Sequence, residues 1–368
     1  MFIRRVVLGA AVTSLLPVAS LAQQLAPSPT LDAIKARGHV ECGVHLRLPG
    51  FSFANDKGEW SGIDVDYCRA VAAAVLGDAG KVKYTPTSVQ QRWPVLQSGQ
   101  VDLLSRNTTI TFSRNASLGV NFQGINFYEG QTFVVRAKAG AKEPKDLDGA
   151  TICVAAGSTE EKTAADWYAE RKLKVTIINF QKNDDAIAAY DAGRCDAYTA
   201  GLGALAGQRI KLKETGEHLI MTETISNDPQ GPVTRWGDER WQAVVRWTLN
   251  GTIAAEALGV TSRNVDEMKA KSTNAEVRRL LGVEGNFGQL LGLSNDWIYQ
   301  VIKQVGNYGE SYERTWAWAR RSSLPAARTS CGRRVDCCTP RRSSESGIRD
   351  QVSGIRCRDS SFLLIPDP

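Results

Sequence analysis

The chain has 368 residues, with 45 Lys and Arg against 39 Asp and Glu for a formal charge of +6. That excess is local: ten of the basic residues, all Arg, and only five of the acids lie from Trp316 onward, so residues 1–315 hold 35 basic and 34 acidic residues. With Arg4 and Arg5 also set aside the body is near −1, which excludes a folded basic face for nucleic acid. A body of about 290 residues suits two lobes of ordinary domain size.

In chain order, Arg4 and Arg5 open a basic stretch, Val6 to Leu21 is mostly apolar, and Ser20-Leu21-Ala22 puts small residues where a signal peptidase reads. Residues 1–22 read as a secretory signal, too short and too interrupted by Pro17 to span a membrane. The mature protein is expected to be soluble and outside the cytoplasm. Leu31–Arg37 then predicts a short helix stopped by Gly38, and His39–Val44 a buried strand. Asp64 is a candidate cap for a helix with Val65, Cys68, Val71, Ala72 and Val75 inward, ending at Gly77. Strand Val82–Thr85, helix Gln90–Gln97 and strand Val101–Leu104 follow. Such alternation predicts an α/β fold with a largely parallel sheet.

The alternation recurs. Strand Thr151–Ala155, the turn Gly157-Ser158-Thr159, a helix from Glu160 to about Arg171, strand Val175–Phe180, helix Asp184–Asp191 and strand Cys195–Thr199 make a second set. Gln97-Ser98-Gly99-Gln100-Val101-Asp102 parallels Asp191-Ala192-Gly193-Arg194-Cys195-Asp196: a helix end, a Gly cap and an Asp entering a strand. Two lobes of similar design are expected, and the helical block from Arg240 is expected to return to the first.

Of eight cysteines, Cys42, Cys68, Cys153 and Cys195 lie in the body and the other four in the last forty residues. An even set in an exported chain points to disulfides. There is no CxxC, and His39, His45 and His218 are scattered, so neither a metal nor another cofactor is expected. From about Trp316 Lys vanishes, Arg and Ser dominate, and helical or strand period is lost. Residues 316–368 read as an aberrant or disordered tail, the product of a shifted reading frame; the alternative is a basic tail for acidic surfaces.

Leu96-Gln97-Ser98-Gly99-Gln100-Val101-Asp102 through Arg106-Asn107-Thr108-Thr109-Ile110-Thr111-Phe112-Ser113-Arg114 resembles bacterial periplasmic amino-acid-binding proteins of polar amino acid ABC transporters. Ser61-Gly62-Ile63-Asp64-Val65-Asp66-Tyr67-Cys68, Val82-Lys83-Tyr84, Gly231-Pro232, Val265-Asp266-Glu267-Met268 and Val305-Gly306-Asn307-Tyr308-Gly309-Glu310 extend the likeness over residues 31–315. It implies a two-lobed periplasmic binding protein fold (type II-like), with lobe one at 31–133 and 231–315, lobe two at 138–226, and Val134–Arg136 and Ser226–Gly231 connecting them. It also implies a monomer that closes on a small ligand, an amino acid or similar polar molecule, and delivers it to an inner-membrane ABC permease.

A free amino acid presents a carboxylate and an ammonium on adjacent atoms, and Arg grips a carboxylate with two parallel donors. The resemblance places Arg114 as that arginine, with Asn107 and Thr109 adding contacts. Ser158 and Thr159 open a helix whose N-terminal N–H groups attract anions. Phe51 and Phe53 fall where such proteins stack a ring on the ligand, or else are core; Trp60 reads as packing. An acid normally binds the ammonium five residues after the strand Asp, yet that position is Gly201. Another acid substitutes, or the ligand is not an ordinary α-amino acid, or binding is weakened, and His45 is a second place where ligand choice can diverge. Within the two-lobe arrangement the expected disulfides are Cys42–Cys68 and Cys153–Cys195, one per lobe. The rivals are a dehydratase-like enzyme on the same fold, with Glu129 and Glu160 as cleft acids otherwise read as solvated surface, and a non-binding sensory or decayed homologue.

Overall fold

A computed structural model describes the backbone of residues 26–321 and side chains through Trp316. Parallel strands need helical crossovers, and each βα repeat read from the sequence supplies one. Two five-stranded sheets result. In the first the order is Val82–Thr87, Val40–His45, Leu103–Leu104, Val233–Arg235, Val120–Phe122; in the second it is Thr176–Phe180, Thr151–Ala155, Ala197–Gly201, Gln131–Arg136, His218–Ile220. The first three strands of each order run parallel and the fourth is antiparallel to both neighbours, so the sheets are mixed rather than largely parallel.

Gln131–Arg136 corrects the expected connection. This strand pairs along its whole length with Ala197–Gly201 in the second sheet, so residues 131–133 lie with that sheet and Val134–Arg136 is no linker. In its place stands the short strand Phe127–Glu129, paired antiparallel with Asp228–Gln230, which lies within the expected Ser226–Gly231. After the second of these the chain packs on the first sheet: Tyr67 donates its hydroxyl to the Val245 carbonyl, and Trp241 Nε1 donates to the Asp102 carbonyl at 3.0 Å.

Helix Ile63–Leu76 covers the first sheet, tied by the disulfide Cys42–Cys68, and the second sheet holds Cys153–Cys195 on adjacent segments; Cα separations are 6.2 and 5.7 Å. Each bridge stays within one sheet and its helices, contributing ~2–4 kcal/mol by restricting the unfolded chain. Asp64 does not cap this helix. It sits in the first turn and accepts from Asn107 N at 2.9 Å and Ser105 Oγ at 3.2 Å, linking the helix to the loop after Leu103–Leu104.

The two strand aspartates do the same work twice. Asp102 accepts from Glu41 N at 2.8 Å, and Asp196 accepts from Thr151 N at 2.8 Å, each clamping its strand to the neighbouring parallel strand. Trp316 corrects the expected start of the tail: it lies in helix Tyr308–Arg321, 2% exposed, against Phe51 and Phe127 at ring distances of 5.2 and 5.4 Å. The signal-like residues 1–22 and residues 322–368 lie outside the described part. Among the described residues no helix is long and apolar enough to cross a membrane.

Candidate functional site

Ligands in open α/β sheets bind beyond the carboxyl ends of parallel strands, because helix N-termini and loop side chains converge there. Here both sheets point those ends at one pocket, lined from both sides. From the first side come His45, Leu48, Val89, Arg92, Arg106, Asn107, Thr109 and Arg114. From the second come Ser158, Thr159, Glu160, Asn183, Ala200, Ala204 and Gln208. The halves touch across it: Thr159 Oγ1 lies 3.3 Å from Thr109 Oγ1, and Lys211 Nζ donates to the Arg47 carbonyl at 2.9 Å. Gly207 packs so tightly that a Cβ there would meet the Pro49 carbonyl oxygen at 2.2 Å.

Arg114 is held by its own loop. Thr111 caps helix Phe112–Ser117 by accepting from Arg114 N at 3.2 Å, and the Arg114 guanidinium donates to the Thr109 carbonyl at 2.7 Å. Asn107 takes a positive φ of 37°, a conformation Asn tolerates and bulkier residues resist, and its Oδ1 is buried without a hydrogen-bond partner among the described residues. Opposite, Ser158 Oγ accepts from Glu161 N at 3.1 Å to start helix Thr159–Glu170. Five of the seven ligand residues expected from sequence, Asn107, Thr109, Arg114, Ser158 and Thr159, thus line one cavity.

Phe51 and Phe53 do not line it. Phe51 is fully buried, edge-on to Phe127 at 4.8 Å, and Phe53 pairs with Ser61 in a two-residue strand. Burying a ring against two others outweighs leaving it beside a polar cleft. Glu160, read as solvated surface, lines the cavity, and Glu129 is 6% exposed. Glu129 occupies the space of the missing acid: a Cβ on Gly201 would sit 2.3 Å from its Oε1. Its carboxyl accepts from Gly203 N and, at 2.6 Å, from Gln230 Nε2; burial, with Glu160 and Asp228 adding repulsion, pushes its pKa to about 8.

Arg92 and Arg106 were missed by sequence reasoning. Both follow the carboxyl end of a parallel strand, and that placement is the signal that could have found them. They are 3% and 2% exposed, and neither they nor Arg114 forms an ion pair among the described residues. Burial first, then repulsion from Arg106 and Arg114, holds Arg92 well below the usual arginine range, and Arg106 falls to about 10. Burial likewise pulls His45 well below its ordinary value, so it is neutral at pH 7. Among the described residues no cluster of His, Cys, Asp or Glu is suited to a metal.

The profile of the bacterial extracellular solute-binding proteins, family 3, matches residues 40–211. The putative amino-acid ABC transporter-binding protein YhdW of Escherichia coli (strain K12) is 47% identical over 295 residues, 80% of this chain and 86% of that protein. The general L-amino acid-binding periplasmic protein AapJ of Rhizobium johnstonii is 46% identical over 81% of this chain and 87% of its own. A solved ABC transporter periplasmic binding protein from Brucella ovis, with glutathione bound, superposes with a TM-score of 0.76 at 51% identity, covering 78% of this chain and 90% of that one. Two sheets closing on a cavity and likeness over most of each relative's length lead to one conclusion: this chain belongs to the bacterial extracellular solute-binding proteins, family 3.

Proposed function

We propose that the protein captures an amino acid, or a small molecule with an amino-acid head, in this cleft and delivers it to an ABC permease. The observation carrying the reading is the meeting of Arg114 and Asn107 from one half with Ser158, Thr159 and Glu160 from the other. Arg114 binds the α-carboxylate, helped by Thr109 and the helix N-terminus at Ser158–Thr159. Glu160 and the unpartnered Asn107 Oδ1 receive the ammonium, with Glu129 filling the wall behind Gly201. The relatives' names, which attach them to amino-acid ABC transporters, and the glutathione of the Brucella protein support an amino-acid head as the common element. Contacts to both halves exist only in the closed state, so ligand binding shifts the protein toward the form a permease recognises. The relatives' family and names favour a periplasmic binder over an enzyme, and action as a monomer in that compartment completes the reading.

Calorimetric titration of ligand-stripped protein with a panel of L-amino acids and γ-glutamyl peptides tests it. Saturable binding with micromolar or tighter Kd is the expected result. No heat from any member at millimolar concentration overturns the reading, and loss of titrant with appearance of product would make the protein an enzyme.

A further inference from the structure

Charge in the cleft exceeds what an ordinary amino-acid head can satisfy. If Arg114 takes the α-carboxylate and Glu160 the ammonium, Arg92 and Arg106 remain, both buried and without an ion pair among the described residues. Their hydrogen bonds are incomplete. Arg106 Nε donates to the Thr87 carbonyl at 3.1 Å while one of its terminal nitrogens has no partner; Arg92 Nε has none, and its guanidinium lies 4.6 Å over the Trp93 ring. From the other half Gln208, fully buried, spends its Oε1 on the Tyr198 hydroxyl at 2.8 Å and leaves its Nε2 unpartnered. All three orphan atoms are donors on residues lining one cavity.

Buried donors without partners cost free energy, and buried unpaired charges cost more. Asp64 offsets part of Arg106's charge from behind, but its carboxylate is already committed to Asn107 N and Ser105 Oγ. We infer that Arg92 and Arg106, with the Gln208 amide reaching across from the second half, form a second anion subsite for a carboxylate on the ligand's side chain, so that the protein selects an α-amino acid carrying two carboxylates. The inference rests on the proposed amino-acid reading, since it counts Arg114 and Glu160 as used by the head. A basic side chain would meet two buried cations, and a neutral amide would leave a positive charge unpaired.

L-Glutamate and L-glutamine have nearly the same shape and differ in this one carboxylate, so their Kd ratio on the full ligand-stripped protein is the test. γ-L-Glutamylglycine, with its second carboxylate further out, distinguishes a short acidic amino acid from a longer peptide. Glutamate or the dipeptide is expected to bind at least about tenfold more tightly than glutamine, with L-lysine undetected. Arg92→Gln and Arg106→Gln should each erase most of that preference, weakening the acids at least about tenfold more than glutamine. Glutamine binding as tightly as both acids overturns the second subsite and leaves the amino-acid reading standing; no binding by glutamate, the dipeptide or glutamine overturns the subsite, and the amino-acid reading falls with it only when the whole L-amino-acid panel is silent. Variants that lose glutamine and the acids in parallel also overturn the subsite, and the wild-type ratio decides the matter should a variant fail to fold.

Discussion

The two halves share a scaffold and differ in the face they turn to the cleft. Each has three parallel strands, an antiparallel fourth, an Asp clamp (Asp102 or Asp196) and one disulfide. Yet the first face carries Arg92, Arg106 and Arg114 beside His45, Asn107 and Thr109, while the second offers one acid, Glu160, among Ser158, Thr159, Asn183, Ala200, Ala204 and Gln208. Fixed charge that must stay desolvated is concentrated where the chain returns to brace it, since the first sheet also carries helices Glu239–Ala257 and Tyr308–Arg321. The second half faces it with a largely neutral surface whose helix N-terminus supplies partial positive charge. On this division the first half sets which ligand is held and the second sets whether the cleft stays shut.

The division breaks most visibly at Arg114. If Arg114 grips the α-carboxylate as proposed, Arg114→Ala should cost about 3 kcal/mol in titrations, roughly a hundredfold, for every ligand that binds. An affinity within a factor of about three would mean that Arg114 serves only its own loop. The disulfides come next, and here the halves should behave alike. Cys42→Ser with Cys68→Ser, or Cys153→Ser with Cys195→Ser, should each lower unfolding stability by about 2–4 kcal/mol in denaturant titrations. Ligand affinity at low temperature should not move, because neither bridge crosses the cleft.

Gly207 separates the two roles. It lies inside helix Leu202–Gln208, where Ala is favoured over Gly by ~1 kcal/mol, but in the closed form a Cβ would strike the Pro49 carbonyl. Gly207→Ala should therefore hold or raise Tm while weakening ligand binding about tenfold. Unchanged affinity would show that the closed contact between these segments is not part of the bound state.

Much of the scaffold was legible because glycines punctuate it. Gly38 and Gly77 end helices at positive φ, and the repeat around Gly99 and Gly193 put an Asp at the entry to a strand in each half without revealing its hydrogen bond to the neighbouring strand. Sheet membership was less legible. Gln131-Thr132-Phe133-Val134-Val135-Arg136 is nearly all buried, and a strand covered on both faces reads the same in either sheet. Phe51 could not be assigned because its partners, Phe127 and Trp316, are distant in sequence. Buried arginines were illegible for a related reason: Arg is ordinarily solvated, and only convergence of several strand ends reveals that Arg92 and Arg106 are not.

The pH dependence turns on Glu129, which stands between the halves on a crossing strand. Its ordinary value is 4.5 and its folded value about 8, raised by burial against the partial opposition of Gly203 N and Gln230, with Glu160 and Asp228 adding repulsion. The folded protein therefore holds a proton that the unfolded chain gives up. The associated stability is fully present below 4.5 and is lost as pH rises through 8. Glu129→Gln has no such proton to lose. Gln230 Oε1 is unpartnered among the described residues, so a flip of that amide can accept from the new side-chain NH₂ and keep the network closed. His45, whose depressed pKa costs stability as pH falls below its ordinary 6.5, acts in the opposite sense but is common to both proteins and cancels. The stability of the ligand-free wild type minus that of Glu129→Gln should thus decline between pH 5 and 8 in denaturant titrations. A flat or rising difference would mean that Glu129 is ionised at neutral pH even without ligand, and that the wall behind Gly201 carries a standing negative charge.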